Sequence, residues 1–189
     1  MKQKSLAVIS FIFLLALSIN AQDNKCSLKI SQLKTAPEFQ GFYMGMTVDE
    51  VKKLVPTIPT GKADDLGMMK TSFSPRFDPK IDKTKFENMR TVSFEFLDGK
   101  VMDLWIGYTS EFKWATLDDF LLQMGGMLGL PPATTWQTKG MERRLECEDF
   151  QVSVSMIAAG PSIHLTDKTM KKTWEQRRTL KAEQEDNNK

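Results

Sequence analysis

The sequence predicts an α+β protein in which helices pack on one face of an antiparallel sheet. Two segments carry the start signals and the apolar spacing of short amphipathic helices. Each is followed by segments in which apolar and polar residues alternate, as in strands with one buried face. This repeated order predicts two similar tandem halves, 40–110 and 111–166, in a single domain of residues 22–182, although two capped helices also match this well by chance.

The first 21 residues have the order of a cleavable secretory signal peptide. Lys2 and Lys4 precede the apolar run 6–17, and Ala21 is the small residue at the predicted cleavage point. The run is shorter than the roughly 20 residues that a membrane span needs. Cys26 does not directly follow a small-residue cleavage box, so we expect no lipid anchor. The mature protein is expected to be periplasmic or secreted.

The first predicted helix begins with a capping box. Thr47 stands three residues before Glu50, the spacing at which each side chain bonds the other's backbone N–H. Its apolar residues form one stripe, and Pro56 limits the helix. The second predicted helix begins at Thr116, shows the same apolar spacing, and is stopped by Gly129 and the two prolines that follow.

A predicted hairpin surrounds Asp98 and Gly99, with strands at 91–97 and 100–108. A two-residue turn would pair Phe94 with Asp103 and set a carboxylate against a core ring, so a three-residue loop with a bulge at Gly99 is preferred. That register pairs Phe94 with Met102. It predicts one buried face, formed by Val92, Phe94, Phe96, Met102, Leu104 and Ile106.

The opposite face of this hairpin is the candidate interface. The preferred register places Val101, Asp103 and Trp105 there, beside Ser93 and Glu95. An aromatic residue on a polar sheet face is typical of an anchor in a protein interface. The alternative is that Trp105 is covered by the last helix or by the connection 61–90.

The second half of the chain has strand-like runs at 134–138, 143–147, 150–157 and 162–166, and then a helix at 167–182. The polar tail 183–189 is expected to fray. Leu145 and Cys147 face the apolar side of their strand, and Cys26 shares a side with Leu28 and Ile30. An exported chain with two inward thiols predicts a disulfide between Cys26 and Cys147, and the alternative is two separate buried thiols.

Charge and composition bear on the partner. Without Lys2 and Lys4 the 26 basic residues become 24, equal to the number of acidic residues, so no nucleic acid is expected as the partner. The last helix is rich in basic residues. Contact with an anionic membrane surface through this helix is less favoured than a solvated helix that docks through Met170 and Trp174.

The sequence contains no recognisable catalytic motif. It has no glycine-rich phosphate loop, no nucleophile elbow and no zinc-protease helix. His164 is the single histidine and alternates with Ile163 and Leu165, which predicts a surface position on the polar side of a strand. We therefore predict a protein that is not an enzyme and that holds no cofactor and no metal.

The first helix start also carries a resemblance to a known family. The segment Gly45-Met46-Thr47-Val48-Asp49-Glu50-Val51 resembles the helix start of the SmpA/OmlA (BamE) outer-membrane assembly lipoproteins. With the apparent doubling, the layout is similar to the β-lactamase inhibitory protein family. The resemblance implies a sheet whose helix-free face binds protein.

The predicted function is therefore an exported, non-enzymatic module that binds a protein or an envelope component. The alternative is a periplasmic enzyme or small-ligand-binding protein, which a deep pocket with convergent polar groups would distinguish.

Overall fold

The computed structural model describes residues 26–114 and 116–187, so the predicted signal peptide lies outside the described residues. Within these ranges the helices are α1 (Val48–Leu54), α2 (Leu117–Leu128) and α3 (Lys168–Asn187). The strands are β1 (Met68–Phe73), β2 (Met89–Leu97), β3 (Lys100–Tyr108), β4 (Gln137–Lys139), β5 (Glu142–Glu146), β6 (Phe150–Ile157) and β7 (Gly160–Asp167). The α+β class is confirmed.

The strands form one seven-stranded sheet in the order β1-β2-β3-β7-β6-β5-β4, and all neighbouring strands are antiparallel. The last strand of the chain, β7, therefore lies in the middle. In the first part α1 precedes β1 to β3, and in the second part α2 precedes β4 to β7. The tandem duplication remains a prediction.

One face of the sheet carries the main core, and α1 and α2 pack on it. Phe94 of β2 is 1% exposed, and its ring lies 5.2 Å from that of Phe42 between centroids. Val51 of α1 and Phe120 of α2 are buried in the same cluster. We call this side the core face.

Both predicted helix starts are confirmed. The Thr47 N–H donates to Glu50 Oε2 at 2.7 Å, and the Glu50 N–H donates to Thr47 Oγ1 at 3.2 Å, which completes the capping box. The Asp119 N–H donates to Thr116 Oγ1 at 3.1 Å in α2. Gly129 ends α2 in the left-handed conformation, with φ 73°.

The predicted register of the β2–β3 hairpin is wrong. The turn has two residues, Asp98 and Gly99, and both have positive φ (51° and 77°) as a type I′ turn requires. Phe94 pairs with Leu104, and the ladder is irregular between Glu95 and Phe96, where Met102 is the extra residue on β3. This bulge shifts the alternation by one residue.

The bulge moves two side chains relative to the prediction. Val101 is 0% exposed and belongs to the main core, so its assignment to the interface face is wrong. Met102 lies on the opposite face, in a small cluster with Met68 and Leu97. The carboxylate of Asp103 does not enter the core, because the extra residue Met102 returns Asp103 to the outer face of the sheet.

The third helix lies on the face opposite to α1 and α2. Met170 and Trp174 of α3 pack on Met68, Leu97 and Met102, as the predicted docking through these two side chains requires. Helices therefore lie on both faces of the sheet. The helix continues to Asn187, so residues 183–187 of the predicted polar tail are helical. The Glu and Gln residues in this stretch have good helix propensity.

Strand β1 lies inside the segment that the sequence analysis treated as a connection. Met69 and Phe73 face the core, but Lys70 and Ser72 are exposed. Because β1 is an edge strand with only six residues, its alternation of apolar and polar side chains is short. In the second half, the predicted inward side of Leu145 and Cys147 is confirmed, since both are buried in the main core.

The predicted disulfide between Cys26 and Cys147 is present, and its cysteines are 121 positions apart in the sequence. Neighbouring hydrogen bonds fix the same corner: the Ile30 N–H donates to Asp149 Oδ1 at 2.8 Å, and the Glu148 N–H donates to Leu28 O at 3.3 Å. In the chain-entropy account, closing so long a loop contributes about 4–5 kcal/mol. The bond ties the start of the described chain to the β5–β6 turn.

Candidate functional site

The contacts of α3 lie at one end of the outer side of the sheet. They reach Met68, Leu97 and Met102, together with the turn residue Asp98. The rest of this side carries mostly polar and partly exposed side chains from five strands. We call it the open face, and it is formed by Arg90, Thr91, Ser93, Asp103, Trp105, Gly107, Glu142, Arg144, Ser153, Ser155, Ser162 and His164.

Cross-strand pairing aligns these residues in rows. Ser93 pairs with Trp105, Trp105 with His164, His164 with Ser153, and Ser153 with Arg144. With strands about 4.8 Å apart, this row is about 19 Å wide. A single aromatic side chain thus stands in a continuous polar row.

Trp105 lies over Gly107 of its own strand. A Cβ atom at Gly107 would come within 2.5 Å of Trp105 Cη2 and 2.8 Å of Arg90 Nη2. Glycine is needed here because both side chains occupy the space above the backbone. The Trp105 ring is partly exposed, and the Arg90 guanidinium carbon lies 5.5 Å from its centroid.

Arg90 is a member of this face that the sequence analysis missed. It lies at an irregularity of the β2–β3 ladder, between the pairs Met89–Tyr108 and Thr91–Gly107. Its Nε donates to Tyr108 O at 3.5 Å, and its Nη2 atom is buried without a hydrogen-bond partner. In the part of the chain that the structure describes, no carboxylate lies within 4.0 Å of Arg90.

Asp103 and His164 form a pair across β3 and β7. His164 Nε2 lies 2.5 Å from Asp103 Oδ1, and Thr166 Oγ1 donates to Asp103 Oδ2 at 2.8 Å. Both carboxylate oxygens of Asp103 are thus engaged within the sheet. Among the described contacts, no hydrogen bond joins His164 to its cross-strand neighbour Ser153.

Other polar side chains of the open face also form hydrogen bonds with one another. Arg144 donates to Glu142 Oε1 from Nε at 3.0 Å and from Nη2 at 2.6 Å. The hydroxyls of Ser155 and Ser162 lie 2.8 Å apart. Polar groups that are already paired cost less when a partner excludes water from them.

Two of the three predicted interface residues lie on this face. Asp103 and Trp105 are there, with Ser93 opposite Trp105 and Glu95 opposite Asp103. Val101 is in the core, because the bulge at Met102 shifts the alternation of β3 by one residue. The sequence signal for the Asp103–His164 pair was present, since both residues fall on polar strand sides, but only the pairing of β3 with β7 brings them together.

One open cleft of about 370 Å³ lies at the β1–β2 side of the open face, where Lys70, Ser72, Ser93 and Glu95 line it. Two other clefts in the described residues lie away from these groups. One open cleft of about 390 Å³ has side chains of both charges, including Arg76, Lys83 and Glu87. A second cleft of about 220 Å³ is lined mainly by apolar residues such as Phe42 and Leu128. Neither is lined by Arg90, Trp105 or His164.

The basic residues of α3 point in part toward the body of the protein. Arg177 donates to both oxygens of Asp98 at 2.8 and 2.7 Å, and Lys181 donates to Asp65 at 2.8 Å. These hydrogen bonds lower the pKa of Asp98 and the pKa of Asp65 below their ordinary values. In the described residues no helix has the length and apolar character that a membrane span requires.

The fold and this site define an α+β protein whose central sheet leaves a polar face with one tryptophan uncovered. Comparisons with protein-family models, curated proteins and solved structures give no match. The resemblance to the SmpA/OmlA lipoproteins and to the β-lactamase inhibitory protein family therefore remains a prediction.

Proposed function

We propose that this protein is an exported, non-enzymatic binding module that holds another protein, such as a protein of the cell envelope, against the open face. The observation that carries the proposal is Trp105, a partly exposed aromatic in the middle of a polar sheet face. Tryptophan and arginine are the residue types most enriched at the energetic centres of interfaces, and Arg90 lies beside Trp105.

The surroundings of Trp105 support binding rather than a purely structural role. Its ring rests on Gly107 and beside Arg90, so its position is set before a partner arrives. A side chain that is already ordered loses little conformational entropy on binding. The paired groups around it, including Asp103 with His164 and Arg144 with Glu142, provide a polar rim.

Export is supported by the chemistry of the chain. The disulfide between Cys26 and Cys147 is stable in an oxidising compartment, and the first 21 residues have the order of a signal peptide. Both features agree with a partner in the periplasm or outside the cell. Mass spectrometry of exported protein should give an N-terminus at or near Gln22.

The binding test compares crosslinking from the two sides of the sheet. A photo-crosslinking residue replaces Ser93 on the open face, or Lys53, which is exposed on α1 on the other side. In cells that produce the protein, we expect a defined adduct from position 93 and none of the same mass from position 53. The captured protein is then identified and purified for affinity measurements.

Trp105→Ala should weaken binding of that purified partner by about 2 kcal/mol, or roughly 30-fold, as for an interface hot spot. The matched control is Leu122→Ala, because Leu122 is an exposed apolar side chain on α2 (63%). This control should leave the affinity unchanged. Two outcomes would contradict the proposal. One is an adduct that forms equally from positions 93 and 53, and the other is a purified partner that binds the Trp105→Ala variant with unchanged affinity.

A further inference from the structure

Arg90 differs from Arg144 and Arg177, two other arginines that lie on or beside the outer side of the sheet. Arg144 has a carboxylate partner at 2.6 Å in Glu142, and Arg177 has one at 2.7 Å in Asp98. Arg90 has no carboxylate within 4.0 Å in the described residues, and its Nη2 atom is buried without an acceptor, so a partner's carboxylate can meet only the other N–H groups of the guanidinium. It is a partly buried cation with unused hydrogen-bonding capacity, which is costly in an isolated protein.

The guanidinium of Arg90 is also held in position. Trp105 lies along one side, Gly107 lies below, and the carbonyl of Tyr108 accepts from Nε. A planar guanidinium fixed in this way has the geometry that matches a carboxylate. Little rotamer freedom remains to be lost when an anion binds.

The charge of the surroundings selects the kind of anion. Asp103 is hydrogen-bonded to His164 and Thr166, and Arg144 is paired with Glu142, so among the described residues at this position Arg90 is the cation without a carboxylate partner. One unpaired positive charge matches a carboxylate with a single negative charge. A phosphate dianion would call for a second cation, and Arg144 is engaged by Glu142.

We infer that the open face recognises an acidic side chain of its protein partner: an Asp or Glu carboxylate binds Arg90, and an adjacent apolar side chain packs on Trp105. This inference rests on the proposed function and names the chemistry of the partner at the same site. The competing explanation is that Arg90 only supports the Trp105 ring.

The probe is a pair of capped peptides, acetyl-Leu-Asp-Leu-amide and its Asn analogue, which differ in charge but hardly in shape. Binding is followed by NMR through the Trp105 indole N–H and the Arg90 Nε–H. We expect the Asp peptide to bind with a Kd of about 1–10 mM and the Asn peptide at least about tenfold more weakly. Equal binding of the two peptides, or no shift with the Asp peptide, would overturn the inference.

Variants separate recognition from support. Arg90→Gln should reduce Asp-peptide affinity to that of the Asn peptide, and Arg90→Lys should keep the charge but lose part of the affinity. The control is Arg178→Gln, because Arg178 also lies beside a tryptophan, 5.0 Å from the Trp174 centroid, but on α3. If Arg90→Gln fails to fold, the Arg90→Lys variant provides the test. If this variant still prefers the Asp peptide to the Asn peptide as strongly as the natural protein does, charge recognition is supported. If the preference is lost while the Trp105 indole signal remains native, the inference is overturned.

The two proposals fail in different ways. If crosslinking from Ser93 finds a Trp105-dependent partner but the two peptides bind equally, only the acidic recognition is wrong. If the Asp peptide binds selectively but no crosslinked protein depends on Trp105, the proposed protein-binding function is wrong.

Discussion

The two faces of strand β3 differ in what covers them. On one side Leu104 and Ile106 are fully buried beneath the aromatic core and the helices α1 and α2. On the other side Asp103 and Trp105 remain partly exposed, and α3 covers only the end of the strand near Met102. Neighbouring residues of one strand thus serve stability on one face and, in our proposal, binding on the other.

The bulge at Met102 decides which residues belong to which face. Val101 and Leu104 both point into the core although three positions separate them, which regular alternation does not allow. Met102 is placed on the outer side, where Met170 and Trp174 cover it. One extra residue therefore provides a docking point for α3 and keeps Asp103 on the open face.

The largest contrast between the faces should appear in adjacent residues of β2. Phe94→Ala should lower the free energy of unfolding by about 3–5 kcal/mol, because it removes a buried ring that packs on Phe42 and Phe96. Urea denaturation measures the change. The control Ser93→Ala, on the open face, should change stability by less than about 0.5 kcal/mol. Similar losses for the two variants would mean that the faces do not differ as described.

A deletion tests the role of the bulge. Without Met102, the pairs Phe96–Val101 and Glu95–Asp103 become consecutive, so the register on both sides is preserved. We expect a folded protein that is less stable by about 2 kcal/mol, the cost of losing one buried methionine under α3. NMR cross-strand contacts report the register. Deleting Val101 instead should be more harmful, because the longer side chain of Met102 then occupies the fully buried site of Val101 and overpacks it.

The smallest effect concerns the attachment of α3 to the outer side. Arg177 lowers the pKa of Asp98, so this pair stabilises the fold above the ordinary Asp pKa of 3.8 and loses that contribution as pH falls through the lowered value. The pair is exposed, so the effect is small. The stability of the natural protein minus that of Asp98→Asn should therefore decrease below pH 3.8 in urea titrations. A difference that stays constant to pH 2 would contradict this role.

Local signals in the sequence were sufficient for part of this structure. The Thr47 and Thr116 caps and the inward sides of Cys26 and Cys147 depend on residues close in the chain, and each was predicted correctly. The short edge strand β1 gave too little alternation to be recognised. Arg90 also has no clear strand signal, because it lies at an irregularity of the β2–β3 ladder.

Long-range pairing explains the remaining differences. With regular strands, a two-residue turn would pair Phe94 with Asp103 and place a carboxylate in the core. The bulge at Met102 avoids this, because Phe94 then pairs with Leu104. The contact of Asp103 with His164 depends on β3 lying next to β7, a choice that no local pattern specifies. Likewise, the side of the sheet that α3 covers follows from the position of Met102 rather than from the helix sequence alone.

The central position of β7 has a consequence for biogenesis. Residues 160–167 are the last strand to leave the ribosome, yet they separate β3 from β6 in the finished sheet. A nascent chain that ends before residue 160 leaves the inner edges of both strands without hydrogen-bond partners. Such edges promote aggregation, and contacts this distant in the chain form slowly. Completion of the sheet must therefore wait until synthesis has passed β7, and an unfinished chain requires protection in the meantime.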